Sequence, residues 1–327
     1  MSSVTSRARL LAWWLAAVAA PVGAASIDLS QLCGSGDCVV STNTTIVSAS
    51  APLSVGGNFT VNPGVVLEFR VPIRIDVAGN LILSGTVGAP GDGGSGGPGG
   101  DAGQVGYAGG NAPAVASGVF NAQGTITLNA NANAVAEGGT GGSGGSPGFG
   151  QTVGGAGGAG GAAGSLTFNT CSTFTSAASA RILVNGGPGG VGQAGALGGA
   201  GGAGGAVTLN AKQSIVSNAP ISALGGAGGS GGSGSGASGA SGTITLSAVG
   251  AITVAAGTLS SGTNTPSVNS SQATLSALAF CAASTPAAPI PTLSAGAMLL
   301  LASLLALISV RRWRGQSRFR ARPKVGA

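Results

Sequence analysis

The sequence contains no histidine, and its 327 residues include only 3 tryptophans, 1 tyrosine and 8 phenylalanines. Without histidine there is no imidazole base, no Ser-His-Asp or Cys-His pair and no histidine-ligated metal. Charged side chains make up 6% of the chain, against about 25% in an ordinary soluble domain. The net charge of +6 belongs to the two ends, where Arg7 and Arg9 open the chain and Arg311, Arg312, Arg314, Arg318, Arg320, Arg322 and Lys324 close it. Between them lie Arg70, Arg74, Arg181 and Lys212 against Asp28, Asp37, Glu68, Asp76, Asp92, Asp101 and Glu137. A weakly acidic body offers no basic face to phosphates, so nucleic acid is not an expected partner.

The few acids also limit catalysis. Glycosidases need two carboxylates at set separations, and Glu68 and Asp76 are the only acids in neighbouring candidate strands, with Arg70 and Arg74 between them. That pattern reads first as a solvated strand face with cross-strand ion pairs. Asp92 and Asp101 lie in GAPGDGG and GGDAGQ but lack the nonapeptide spacing of Gly-Asp calcium repeats. The expectation is a protein that is not an enzyme and holds no metal or cofactor.

What is abundant is glycine, 65 residues of it, with 53 between positions 85 and 250. Before that region, residues 26–87 carry short β-branched runs (CVVS, TTIVS, NFTV, VVLEF, IRIDV, NLILS) between Gly, Asn and Pro, the pattern of successive strands. Within residues 88–260 a phrase recurs: GTITLNA at Gly124, GSLTFNT at Gly164, GAVTLNA at Gly205 and GTITLSA at Gly242. A second apolar pulse follows each, and NLILSGTVG from Asn80 resembles an earlier copy. Such a period signals units that are stable only when stacked. An all-β parallel β-solenoid fits, with two strands and their turns per unit. Alternation would send Ile126 and Leu128 inward and Thr125 and Thr127 outward. The alternative is an antiparallel β-sandwich, which normally has more large core residues. The Thr-x-Thr pattern lapses at Ser165/Thr167 and Ala206/Thr208, so it reads as ordinary strand surface. The tracts between phrases, such as GGAGGAGG at Gly154 and Gly198, are too short and Pro-poor for collagen. They are either flexible loops, the default given the entropy glycine loses on ordering, or extended polyglycine helices packed side by side.

Both ends read as targeting signals. Residues 1–25 order a basic start, the apolar run Leu10–Ala20, Pro21 and small residues ending at Ala25, the layout of a secretory signal peptide cleaved after Ala24 or Ala25. After a last strand and a Ser/Thr/Pro linker (residues 261–289), Thr292 to Val310 is free of charge. As a helix it would rise about 28 Å, enough to cross a hydrocarbon core. Arg311, Arg312 and Arg314 follow and would hold that end in the cytoplasm, leaving the body outside. Four cysteines in an exported chain suggest disulfides: Cys33 with Cys38 around a short turn, and Cys171 with Cys281, which requires the last strand to fold back along the stack.

The segment 290–327, with a short motif, one apolar helix and a terminal arginine cluster, resembles the C-terminal sorting signals of Gram-negative surface proteins of the IPTL-CTERM type. Ile290, Pro291, Thr292 and Leu293 match the opening of that signal. Where such signals usually continue with Trp-Gly, this chain has Gly296-Ala297 before Met298. The resemblance implies recognition by an exosortase-type membrane protease, transient residence in the inner membrane and transfer of the body to the cell surface. The expected role is structural or adhesive, in the bacterial envelope or extracellular matrix. Extracellular polysaccharide is a candidate partner, and a carbohydrate-binding or carbohydrate-active solenoid is the alternative function.

Overall fold

The computed structural model describes residues 25–269 except 35, 263 and 264, together with Leu278, Phe280 and Cys281. Residues 1–24 of the expected signal peptide, the expected sorting motif, the apolar segment after it and the arginine cluster lie outside the described residues. No helix among the described residues is long and apolar enough to cross a membrane.

The body is nearly all-β, and its strands form three parallel sheets. Sheet 1 contains Ala25–Asp28, Thr44–Ser48, Val66–Phe69, Thr86–Gly88, Asn133–Val135, Arg181–Leu183, Ile221–Ser222 and Leu259–Ser260. Sheet 2 contains Cys38–Val40, Phe59–Val61, Leu81–Leu83, Ile126–Leu128, Phe174–Ser176, Ile215–Ser217 and Ile252–Val254. Sheet 3 contains Leu53–Val55, Ile73–Val77, Gly118–Ala122, Leu166–Thr170, Ala206–Ala211, Thr243–Ala248 and Ser267–Asn269. The chain visits the sheets in turn, and nearly every strand pairs with the strand three places on. The result is a solenoid-like stack with three strands per coil, one more than the repeat phrase suggests. Strands before and after Val87 belong to the same sheets.

Each inward column is filled by apolar side chains in register. Ile75, Phe120, Phe168, Leu209 and Leu246 align in sheet 3, and Phe59, Leu81, Ile126, Phe174 and Ile215 in sheet 2. All of these are fully buried. The Phe120 and Phe168 rings stack at 5.2 Å, and Phe168 meets Phe174 across the core at 6.0 Å. Burying each such side chain contributes about 1.5–3 kcal/mol. Ile126 and Leu128 point inward as the alternation predicts, while Thr127 lies half-buried on the outer side.

The register corrects one sequence assignment. The phrases from Gly164, Gly205 and Gly242 form successive strands of sheet 3, but the phrase from Gly124 supplies Ile126–Leu128 of sheet 2. The true partner of Leu166–Thr170 is Gly118–Ala122, with Asn121 opposite Asn169. The phrase spacing approximates the coil length, so a neighbouring strand with similar letters takes the place of the real copy.

Of the two readings open for the glycine tracts, the structure takes the second: they are ordered and packed side by side, not the loops that were the default. In each of four successive coils the link from sheet 1 to sheet 3 (residues 89–117, 136–165, 184–205 and 223–242) runs out from the corner, turns and returns. Every third residue donates to the next tract: Gly94, Gly97 and Gly100 bond the carbonyls of Thr140, Ser143 and Ser146 at 2.7–2.9 Å. On the return side Gly109, Ala112 and Val115 bond Ala156, Ala159 and Ala162 at 2.9–3.0 Å. Three residues per turn is the polyproline II period, so these are polyglycine helices in two layers. The layers interlock through a relay at 2.8 Å: Gly142 to Gly110, Gly158 to Gly142, Gly190 to Gly158, Gly199 to Gly190. A Cβ at Gly158 would overlap the Gly110 carbonyl oxygen, and one at Gly199 the Gly158 oxygen. Only glycine permits this approach, and the bonds it allows offset the entropy that makes a loop the default. The remaining third of each tract faces outward, where Thr140, Ser143, Pro188, Ala200 and Ala237 are exposed.

Candidate functional site

Sheet 3 carries the chain's polar ladder. Asp76, Asn121, Asn169 and Asn210 occupy one column in register. Asn210 donates its amide to the Asn169 oxygen at 2.8 Å, Asn169 to Asn121 at 2.7 Å, and Asn121 to an Asp76 oxygen at 2.5 Å. The same Asp76 oxygen accepts from Arg74 Nε at 2.9 Å. The column alternates outward from Ile75 and Phe120, yet Asn121, Asn169 and Asn210 are buried. Cys171, directly after the strand Leu166–Thr170, is bonded to Cys281 across 110 residues of sequence, which brings the end of the body back onto this face. Phe280, next to Cys281, lines a cavity of about 310 Å³ with Ser54, Arg74, Asp76, Asn121 and Gln123. Ser247 follows Asn210 in the column, and its hydroxyl is buried without a hydrogen-bond partner.

Cys33 and Cys38 form the local bridge, so all four cysteines pair as the sequence suggests. Ile290, Pro291, Thr292 and Leu293, expected to form a sorting motif, and Arg311, Arg312 and Arg314, expected to orient the chain, lie outside the described residues.

The two acids singled out for catalysis are held apart. Glu68 belongs to sheet 1 and bonds Arg70, whereas Asp76 belongs to sheet 3 and bonds Arg74. The pairs therefore lie along a strand, two residues apart, rather than across strands. Arg70 also reaches Asp92 at 2.5 Å, a contact from the first glycine tract back to the stack. Its guanidinium pKa is raised, chiefly by the hydrogen bond to Asp92. These side chains are a third or more exposed in most cases, where such pairs are worth about 0–1 kcal/mol. No group of three or more His, Cys, Asp or Glu suited to a metal ion occurs among the described residues.

Burial sorts the aromatic residues sharply. Phe59, Phe69, Phe120, Phe168 and Phe174 are fully buried, and Phe280 is half-buried. Tyr107, at 54% exposure, and Phe149, at 92%, remain available to solvent, both at the outer ends of glycine tracts. Composition alone could not separate them from the core phenylalanines. Their place in Gly-rich rather than strand-forming sequence is the signal that could have done so.

No family model, curated protein or solved structure matches this chain.

Proposed function

We propose that this chain is an exported structural and adhesive protein of the bacterial envelope or matrix, built as a parallel β-solenoid with a polyglycine wing. In this reading residues 1–25 direct export. Ile290, Pro291, Thr292 and Leu293 engage an exosortase-type protease, and the apolar segment that follows holds the chain in the inner membrane until processing. Arg311, Arg312 and Arg314 keep the far end in the cytoplasm.

The observation that carries the reading is the complete pairing of four cysteines. Disulfides persist outside the reducing cytosol, and the Cys171–Cys281 bond fixes the body just ahead of the linker.

Intact-mass analysis of envelope and medium fractions, alkylated without reduction, tests the proposal. The expected product begins at Ala25 or Ser26, carries no alkyl groups and ends near Ile290; an intact Ala327 terminus would indicate a permanent anchor instead. An unprocessed, alkylated chain dissolved in the cytosol would overturn the reading.

Carbohydrate binding is the second reading, favoured by the exposed Tyr107 and Phe149.

A further inference from the structure

Six of the eleven exposed large apolar residues among the described residues lie at one place, and the other five are scattered over the strands and one tract. Val105, Tyr107, Phe149, Val153, Val191 and Leu197 are all exposed and all sit at or beside the turns where the first three glycine tracts reverse. These turns are stacked and braced. Gly103 N–H bonds the Phe149 carbonyl at 2.9 Å, Gly106 that of Val153, and Gly148 the Gln104 carbonyl at 3.0 Å. Gln151 Nε2 donates to Gly103 O at 3.2 Å, and Gly154 N–H bonds Ala194 O at 2.7 Å. Gly103, Gly150 and Gly195 take positive φ of 76°, 83° and 71° to make the reversals. The apolar side chains therefore stand on a preorganised base, so little ordering remains to be done on binding.

We infer that this tip is a recognition ridge for a neutral polysaccharide, a role that rests on the adhesive reading and names its site. Three features select that partner. First, Tyr107 and Phe149 are exposed aromatic rings on which the C–H faces of sugar rings can stack, while the nearby Gln104 and Gln151 amides supply donors and acceptors for hydroxyls. Second, no Lys or Arg occurs between Arg74 and Arg181, and the nearest charge in the tip sequence is Asp101. Acidic polysaccharides, nucleic acids and anionic lipids thus find no countercharge there. Third, three parallel layers span only about 10 Å. That suits a few units of a linear polymer better than the roughly 800 Å² per partner of a standard protein interface.

The test uses the disulfide-bonded chain recovered from cells in co-sedimentation with amylose, cellulose and a neutral galactan, and with alginate as an acidic control. Binding to at least one neutral polymer is expected, insensitive to 0.5 M salt. Phe149→Ser with Tyr107→Ser should weaken it at least tenfold without shifting the melting temperature. Phe149→Tyr, which keeps a ring, should retain it, and Val39→Ser on exposed sheet 2 should have no effect. No binding to any neutral polymer, preference for alginate, or binding that survives the double substitution would each overturn the assignment. Protease accessibility on whole cells separates the two levels. A chain displayed outside but blind to all three polymers sinks the ridge alone, whereas a chain confined to the cytosol sinks the reading beneath it.

Discussion

Phe168 in the coil and Gly158 in the wing are both buried, for opposite reasons. Around Phe168 the interior is filled by side chains that stack in register with Phe120 and Leu209. Around Gly158 it is filled by backbone, because the missing side chain lets carbonyls and N–H groups of adjacent tracts meet at 2.8 Å. Hydrophobic burial drives the first. The second has almost no apolar side chain to bury and depends on pairing each inward peptide group, one tract docking against the next. The coil thus tolerates changes that preserve volume, whereas the wing interior tolerates no added atom but accepts most residues on its outward third. Proline fits that outward third because its missing N–H is not needed there, as at Pro98 and Pro188.

The largest effect should come from emptying the coil. Phe168→Ala is expected to cost about 3–5 kcal/mol, read as a lowered denaturant midpoint, while Phe149→Ala at the exposed tip should stay within about 0.5 kcal/mol. If the two cost the same, burial does not organise this chain as described. Removing the long bridge by Cys171→Ala with Cys281→Ala should cost about 2–4 kcal/mol, since it frees a separation of 110 residues in the unfolded chain. Hydrogen exchange should then quicken along the Asn121–Asn210 face before the wing.

A neighbouring pair isolates the wing's rule. Gly199 faces the Gly158 carbonyl, and Ala200 beside it is exposed. Gly199→Ala should cost about 1–3 kcal/mol as overpacking and should deprotect Gly229, whose N–H bonds the Gly199 carbonyl. Ala200→Ser should be neutral within about 0.5 kcal/mol. Equal outcomes would mean that the tract is not docked.

The contrast also separates what was legible in the sequence from what was not. Strand identity and the inward set at Ile126 and Leu128 follow from a period of two, which any strand with one buried face imposes. The cysteine pairs follow from their even number and from the export expected of the sequence. The coil's third strand and its true register were hidden because GVFNA at Gly118 resembles its copies less than GTITLNA does, although the latter belongs to another sheet. The sequence left order in the tracts undecided for a different reason. A single Gly-Gly-Ala run has the composition of a linker, and its N–H groups find partners only when other runs lie at the right height. That information resides in the spacing of coils. The ladder ending at Asp76 was equally out of reach, because Asn121, Asn169 and Asn210 are far apart in sequence and Asn occurs throughout the chain.

The smallest effect tests charge, which the coil uses at its rim and the wing interior does not use. The Asp28 carboxylate accepts hydrogen bonds from Ser48 Oγ at 2.5 Å, from Ser30 Oγ at 2.7 Å and from Ser30 N–H at 2.9 Å. These bonds, led by that from Ser48, hold its pKa below the ordinary carboxylate value. A folded value below the unfolded one means that the contribution is fully present above the unfolded pKa, about 3.9, and disappears as pH falls through the folded value. Asp28→Asn should therefore lower the denaturant midpoint slightly at pH 7, and its gap from wild type should narrow as pH falls below the unfolded value and through the folded one. The Gly199→Ala gap should be the same across that range, because a methyl group against a carbonyl has nothing to titrate. An Asp28→Asn gap that persists in acid would assign the effect to lost geometry rather than charge. A Gly199→Ala gap that narrows in acid would show that the wing is coupled to the ionised rim through Arg70 and Asp92.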